Sequence, residues 1–321
     1  MKQLKIFQYC VFFLLLTTSC SKNDNENGNN HYPSSLRGTI YYKWATQGIL
    51  KMSFPGGEGG AFMDDSKLNN FDVSRDGKFK LTAHNASTIG NYPVQFTLSN
   101  LSDNAIVEQF NYTSPAGNSY CDGFLSPDNT MILVQSNDTE EDGITILKTN
   151  GDFVVRLDGI DGVPFSMHDV QFWLPGNALL LTHGNNIIRV DPPYTSGTLV
   201  RTMQYADWSD LTVNHQGTQL AVKIGNHIHT MDMNGENVTQ ITTSNFVEAR
   251  PVFSPDGNYL LVGTHYRVTG PMGHSWDLKI IPNDGKQYNV DPNQENSPGV
   301  LPVIWNNKDR IETASGHIIW K

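Results

Sequence analysis

Cysteine is scarce in this sequence, and basic residues never cluster. Of three cysteines in 321 residues, Cys10 and Cys20 lie in an apolar N-terminal leader, which leaves Cys121 alone. A disulfide within the mature domain and a cysteine metal site are therefore excluded. Lysines and arginines number 22 against 32 acidic residues, and the formal net charge is −10. We expect no nucleic-acid partner, because phosphate backbones are bound by clustered positive charge.

Helical periodicity and catalytic motifs are also missing. Beyond the leader no stretch sustains a helical apolar period, so helix contributes little to the fold. The chain has no Gly-x-Ser-x-Gly elbow and no phosphate-binding loop. The acidic loop at 138–142 lacks the Asp-x-Asp-x-Asp-Gly arrangement of a calcium site. We predict no cofactor and no metal, and a non-catalytic role is favoured although an enzyme stays open.

What the sequence does contain is a repeated turn followed by a short apolar run. Proline presets φ in such turns, aspartate bonds the backbone, and glycine accepts a positive φ. The first residues of successive copies are 40 to 52 positions apart. The copies are Ser74–Gly77, Ser126–Asn129, Leu174–Asn177, Asn214–Gly217, Ser254–Gly257 and the degenerate Asn306–Asp309. Four short strands per repeat are typical of a propeller blade, whereas a β-sandwich or a β-solenoid fits this period less well.

The repeats predict an all-β fold, a β-propeller of four-stranded antiparallel blades over residues 37–321. Seven second strands but only six inner strands can be counted. No inner strand precedes the first blade, and residues 301–321 supply only part of a last one. We therefore favour seven blades with incomplete terminal blades. Six blades, with the two chain ends sharing one blade, is the close alternative.

The phrase Phe253-Ser-Pro-Asp-Gly257 resembles the TolB-type β-propeller repeat, a WD-like blade. Leu125–Asn129 and Val73–Gly77 carry the same resemblance, whereas the other copies depart from it. The resemblance covers nearly all of residues 37–321 and implies the propeller fold. It implies little about function, since such repeats occur in translocation accessories, peptidase propellers and sugar-acid lyases.

The N-terminus resembles that of a bacterial lipoprotein. A basic start, an apolar run over Ile6–Leu16 and the sequence Leu16-Thr-Thr-Ser-Cys20 resemble a lipobox, in which Cys20 is lipidated. Residues 1–19 would be a signal peptide and the polar residues 20–36 a flexible tether. The acidic residues after Cys20 resemble the surface-export tether of Bacteroidetes lipoproteins, and Ser21 in place of an aspartate argues by analogy for the outer membrane. The resemblance implies an outer-membrane protein held by a lipid anchor, on the periplasmic face or at the cell surface.

Candidate ligand-binding residues lie where loops enter the inner strands, because propeller ligands usually sit over the central channel. These positions hold carboxylates, an amide, a histidine, an aromatic ring and one arginine: Asn70, Asp122, His168, Asp169, Trp208, Asp210 and Arg250. Such a set would suit a metal ion or a polar ligand such as a sugar. The competing interpretation is that these side chains cap tight turns by bonding backbone N–H groups.

Histidines recur at the ends of second strands and could face the same funnel. They are His84, His183 and His265, with His168 at the start of an inner strand. Three or four would have to converge to bind a metal ion, which their spacing along the sequence cannot show.

Three functions remain open. The first is a monomeric, non-catalytic cell-envelope lipoprotein that binds a glycan, peptide or protein partner, and it is favoured because no catalytic set is recognisable. The second is a metal-assisted lyase or hydrolase acting on oligosaccharides, which rests on the histidines. The third is a structural accessory of a larger envelope complex.

Overall fold

The chain folds into a ring of six blades around a central channel. The computed structural model describes residues 32–44, 47–65, 67–85, 93–136, 139–166, 168–270 and 273–321. Cys20, the predicted signal peptide and the tether as far as residue 31 lie outside these residues. Each blade is an antiparallel sheet whose inner strand lines the channel. No helix within the described ranges is long and apolar enough to cross a membrane.

The blades are numbered along the chain, and blades 2 to 5 each contain four consecutive strands. The strands of blade 2 are Leu68–Val73, Phe79–Asn85, Val94–Asn100 and Ile106–Tyr112. Those of blade 3 are Cys121–Leu125, Met131–Ser136, Ile144–Lys148 and Phe153–Leu157. Those of blade 4 are Gln171–Trp173, Leu179–His183, Asn186–Val190 and Gly197–Thr202. Those of blade 5 are Trp208–Val213, Gln219–Ile224, His227–Asp232 and Thr239–Gln240.

The two remaining blades are less regular. Blade 1 combines the inner strand Ile318–Trp320, from the far end of the chain, with Gly38–Trp44, Gly48–Phe54 and Glu58–Met63. Blade 6 contains Ala249–Phe253 and the long hairpin Tyr259–Gly270 and Gly273–Pro282, with Leu301–Pro302 and Thr313–Ala314 on its outer edge. Small elements outside the blades are the paired strands Gly159–Ile160 and Val163–Pro164, the parallel pair Thr242–Thr243 and Tyr288–Asn289, the helical turn Thr139–Asp142 and the 3-10 turn Pro175–Asn177.

The repeated turn is held by the same bonds in each well-formed copy. In the copy at Ser254, the hydroxyl lies 2.6 Å from a carboxylate oxygen of Asp256 and accepts the N–H of Tyr259 at 3.0 Å. Gly257 follows with φ of 76°, a conformation that glycine adopts without strain. In the copy at Ser126 the same position is Asn129, with φ of 62°. Asparagine tolerates this region better than other side chains, so the copy keeps its shape without glycine.

The two ends of the chain share one blade, and this shared blade closes the ring. The propeller therefore has six blades, which was the alternative prediction, and not the seven that the sequence favoured. The count of second strands misled because Leu301–Pro302 and Thr313–Ala314 are edge strands of blade 6, not the start of a seventh. The last strand, Ile318–Trp320, pairs antiparallel with Gly38–Trp44. A strand that completes a sheet begun about 280 residues earlier cannot be assigned from local pattern.

Apolar side chains fill the gaps between blades because strand residues alternate between the two faces of each sheet. On the second strand of blade 3, Ile132 and Val134 pack toward blade 2, and Leu133 packs toward blade 4. Residues 32–36, which the sequence assigns to the tether, belong to the fold: Tyr32 and Leu36 are buried in the cluster between blades 6 and 1. The Tyr32 hydroxyl also bonds the backbone of Pro302 and Ile304.

Candidate functional site

The central channel encloses a cavity of about 330 Å³ lined by the inner strands of all six blades. One residue from each inner strand illustrates the lining: Asp72, Phe124, Phe172, Leu211, Val252 and Ile319. The inner strands run in the same direction, so the residues that begin them share one mouth of the channel. The repeated turns lie at the opposite end, which is called the floor below.

Asp210 and Arg250 line this cavity at the mouth, on neighbouring blades. Both residues sit at bulges in their inner strands and adopt positive φ, 51° for Asp210 and 54° for Arg250. Such a conformation is unfavourable for arginine and better tolerated by aspartate, and strained residues cluster at functional sites. A bulge also re-aims the side chain out of the regular alternation. The same bulge geometry in blades 5 and 6 therefore places a carboxylate and a guanidinium side by side at the mouth.

The pairing between these two side chains is loose. Arg250 Nε lies 3.9 Å from a carboxylate oxygen of Asp210, and its backbone N–H reaches the other oxygen at 3.4 Å. The Arg250 side chain is 49% exposed, and its guanidinium lies 5.5 Å from the ring centre of Trp276. A cation over an aromatic face keeps its hydrogen-bond donors free for another acceptor. Both groups therefore remain available to a ligand.

Asp122 begins the inner strand of blade 3 on the same face as Phe124, which lines the cavity. Within the described ranges its carboxylate makes no hydrogen bond and no ion pair. Burial raises the pKa of Asp122 to about 6, against the attraction of Lys43 across the mouth. Asp122 is therefore a candidate for binding a cationic group of a ligand. A cation beside this buried carboxylate would lower its pKa and favour the ionised form.

Asn70 and Asp169, by contrast, are engaged in bonds within the protein. The Asn70 amide oxygen accepts the N–H of Gly123 at 3.4 Å, which joins blade 2 to blade 3. Asp169 is buried and accepts the N–H groups of Ser166 and Gly184 at 2.8 and 3.1 Å. These contacts are those of the capping interpretation.

The other two predicted positions lie apart from the cavity lining. His168 is exposed, and its described hydrogen bond is made by its backbone N–H. Trp208 packs in the cluster between blades 4 and 5 and donates its indole N–H to Asn185 at 3.1 Å. Of the predicted set, Asp210 and Arg250 line the cavity, Asp122 lies near the start of the inner strand of blade 3, and the other residues do not line the cavity.

Each recurring histidine lies beside a carboxylate, which for His84 comes from the connection between blades 1 and 2. His84 lies 3.0 Å from Asp65, and His183 lies 3.3 Å from Asp169. His265 lies 2.9 Å from Asp277, which also binds Arg267. Across the described residues no group of three histidine, cysteine, aspartate or glutamate side chains is placed to hold a metal ion.

Two residues that line the floor of the cavity, Arg75 and His215, were not singled out from the sequence. Arg75 donates to the carbonyls of Trp173 and His215 at 2.6 and 2.9 Å, across the floor of the channel. Burial lowers the pKa of the Arg75 guanidinium and lowers that of His215 to about 3. A signal existed, because Arg75 and His215 occupy the turn position that holds Pro127 and Pro255 in regular copies.

His317 was also missed. It precedes the inner strand of blade 1, and its ring stands edge-on to Phe71 and Phe124. Its Nε2 is buried without a hydrogen-bond partner in the described residues, and burial lowers the pKa to about 4. The ring is therefore neutral at physiological pH and presents an unbonded nitrogen along the cavity wall.

Comparisons with known proteins agree on the fold. No family model matches the sequence, and no curated protein matches it. Among solved structures, TolB from Acinetobacter baumannii is similar at a TM-score of 0.59 and 16% identity, over 90% of this chain and 68% of that one. A protein designated TolB from Agrobacterium tumefaciens is similar at a TM-score of 0.51 and 15% identity, over 79% of this chain and 87% of that one. The chain therefore has the fold of TolB-type β-propellers, in a six-bladed form.

Proposed function

We propose that this protein is a non-catalytic binding propeller whose channel mouth holds a charged segment of a peptide or protein partner. The observation that carries the proposal is the loose Asp210–Arg250 pair, in which bulges of two neighbouring inner strands leave Nε and the carboxylate oxygen 3.9 Å apart. A partner with a carboxylate would bind Arg250 through two parallel hydrogen bonds, and its basic group would bind Asp210. Binding would replace the weak Asp210–Arg250 ion pair by two stronger ion pairs with the partner. Neither Asp210 nor Arg250 would then be left as an unpaired charge in the complex.

Asp122 and the cavity support the same interpretation. The unpartnered carboxylate gains a counter-charge if a basic side chain enters, which returns its pKa toward the ordinary value. A cavity of about 330 Å³ suits one or two side chains of a partner rather than a long polymer. A glycan partner, which the sequence also leaves open, would lack the basic group that two carboxylates at the mouth favour.

Localisation is a separate part of the proposal. We place the protein in the cell envelope, anchored in the outer membrane by lipid on Cys20, on the basis of the lipobox and the polar tether. Replacement of Cys20 by alanine is expected to release the protein from the membrane fraction with an unchanged melting temperature. A Cys20→Ala protein that stays in the membrane after a carbonate wash would disprove the anchor and leave the binding proposal standing.

Site-specific photo-crosslinking in native envelopes tests the binding function. A photoreactive residue at Tyr120, exposed just before the inner strand of blade 3, should capture a partner. The same residue at Lys286, in a turn that follows a third strand and so lies at the floor end, should not capture it. The adduct at Tyr120 should disappear when Arg250→Ala is added. Equal capture from both positions, or an adduct that survives Arg250→Ala, would disprove binding at the mouth.

The metal-assisted lyase or hydrolase gains no support from a specific observation. His84, His183 and His265 each lie beside a carboxylate, and each of these carboxylates is a different residue. We therefore do not advance it as a second function.

A further inference from the structure

The two faces of blade 2 differ in chemistry. Its second and third strands present Leu81, Val94, Phe96 and Leu98 to blade 3, where they are buried in an apolar cluster. The alternate positions of the same strands face blade 1 and are polar: Lys80, Thr82, His84, Gln95, Thr97 and Ser99. In blades 3 to 6, the second and third strands carry buried apolar residues toward both neighbours.

Because of this polar face, blades 1 and 2 bury fewer apolar side chains between them than the other neighbouring blades do. The apolar cluster between them contains Tyr41, Ile49, Phe71, Val73 and Ile319. Farther out the sheets leave an open cavity of about 750 Å³, which we call the blade 1–2 cleft. Its walls include Met63 and Asp65 from the blade 1 side and Thr82, Thr97, Gln109 and Asn111 from blade 2. This volume is in the range of small-molecule binding sites.

The cleft offers many groups that both donate and accept hydrogen bonds. The Gln109 amide donates to the Thr97 hydroxyl at 2.9 Å and lies 3.4 Å from the amide oxygen of Gln95. Thr82 and Ser99 are buried at its base, and among the described residues neither side-chain hydroxyl has a hydrogen-bond partner. Because the protein does not bond these two hydroxyls, they remain free to donate to and accept from a molecule in the cleft.

The charges of the cleft balance, and its middle strands are already paired. Asp64 and Asp65 offset Lys67 and Lys80, so neither an anion nor a cation is preferred. The second strand of blade 2 is hydrogen-bonded on both edges, so a peptide cannot add to it as a strand. Met63 and the 62% exposed Ile106 border the polar groups with apolar surface.

We propose that the blade 1–2 cleft binds a neutral oligosaccharide. Sugar hydroxyls each donate and accept, which matches a surface of amides and hydroxyls without net charge. The C–H faces of the sugar rings would contact Met63 and Ile106. This site shares no lining residue with the cavity of the channel. The inference can therefore be correct or wrong independently of the function proposed for the channel mouth.

Titration of the full chain with single neutral hexasaccharides, namely cellohexaose, xylohexaose, mannohexaose and maltohexaose, tests the inference. At least one should bind with a Kd below about 1 mM in calorimetry. The double variant Thr97→Val, Gln109→Ala should weaken that binding by at least about tenfold. The matched control Thr198→Val, Gln204→Ala makes the same chemical changes on exposed residues of blade 4 and should not alter it.

Three outcomes would overturn the inference. One is absence of binding by all four sugars at about 1 mM. The second is sugar binding that the Thr97→Val, Gln109→Ala variant retains at full strength. The third is loss of sugar binding in Arg250→Ala, which would put the sugar at the channel mouth. Circular dichroism of each variant verifies the fold, and the single variant Gln109→Ala, on an exposed side chain, serves if the double variant is unstable.

Discussion

Blade 1 meets its two neighbours in opposite ways. Against blade 6 it buries a continuous apolar cluster that includes Tyr42, Met52, Trp305 and Trp320. Within that cluster Trp305 donates to the Tyr42 hydroxyl, which bonds Glu312 at 2.8 Å. Against blade 2 it makes a smaller cluster and then a polar cleft. The difference indicates that the junction between blades 6 and 1 contributes more to the free energy of unfolding than the junction between blades 1 and 2. The second junction is less densely packed and leaves space for a ligand.

The closing junction has a further sign of tight packing. The Trp305 ring lies directly on Gly59, where a Cβ would collide with the indole. Lys308 lies 3.4 Å from the centre of the same ring and pairs with Glu312 at 2.9 Å. The ring closure thus combines apolar burial with a buried polar network in which each member is bonded.

Removal of residues 301–321 is expected to have the largest effect on this comparison. The deletion takes away the inner strand of blade 1 and the edge strands of blade 6, which leaves unpaired strand edges exposed. We expect an open, aggregating protein in size-exclusion chromatography. A truncated protein that is monomeric and unfolds cooperatively would contradict the role of the closing strand.

Trp320→Ala should have the next largest effect. The side chain is fully buried against Phe54, and its indole N–H bonds the Arg37 carbonyl at 2.9 Å. Its loss is expected to lower the free energy of unfolding by about 3–5 kcal/mol in denaturant titration. Ile106→Ala, at the exposed border of the cleft, should change it by less than about 0.5 kcal/mol. Similar losses in the two variants would remove the contrast between the junctions.

Two threonine-to-valine substitutions compare a hydroxyl that is bonded in the core with a hydroxyl that is unbonded in the cleft. Thr242 is fully buried, donates to Glu248 at 2.6 Å and accepts from the N–H of Ile228. Thr242→Val should cost about 1–3 kcal/mol because it leaves buried groups unpaired. Thr82→Val, in the cleft, breaks no bond and should be neutral or stabilise the fold by up to about 1 kcal/mol. If urea unfolding finds equal costs, the Thr82 hydroxyl is structural and the cleft loses its support.

Asp122 is expected to make the stability of the protein depend on pH. Its folded-state pKa of about 6 lies above the ordinary value of 3.8, so ionisation disfavours the fold and stability falls as pH rises through that window. Asp122→Asn removes this cost and should stabilise the protein at about pH 8 by about 1–2 kcal/mol, with little difference at about pH 4. Denaturant titrations at both pH values measure the difference. A variant that is equally stable to wild type at the higher pH would show that Asp122 is not desolvated.

The fold could be predicted because the repeated turn depends on local chemistry. Ser254, Asp256 and Gly257 fix the turn through bonds among neighbours, and the same residues recur along the chain. The number of blades could not be predicted in the same way, because the inner strand of blade 1 comes from the far end of the chain.

The candidate site was only partly predictable, for a physical reason. Position along the repeat put Asp210 and Arg250 at the mouth, but it could not distinguish them from Asn70 and Asp169, which bond the backbone. That distinction depends on bulges and neighbours from other blades. The alternation of Lys80, Thr82 and His84 carried a readable signal for the polar face, because a packed blade would have apolar residues there.

The most direct test of binding at the channel mouth is a paired measurement on Asp210→Ala. Affinity for the partner captured at Tyr120 and the melting temperature are measured on the same preparation. Binding at the mouth predicts at least about a tenfold loss of affinity, with the melting temperature lowered by less than about 2 °C. A capping role for Asp210 predicts the reverse, a loss of about 0.5–2 kcal/mol in stability with affinity unchanged, and that result would contradict the account.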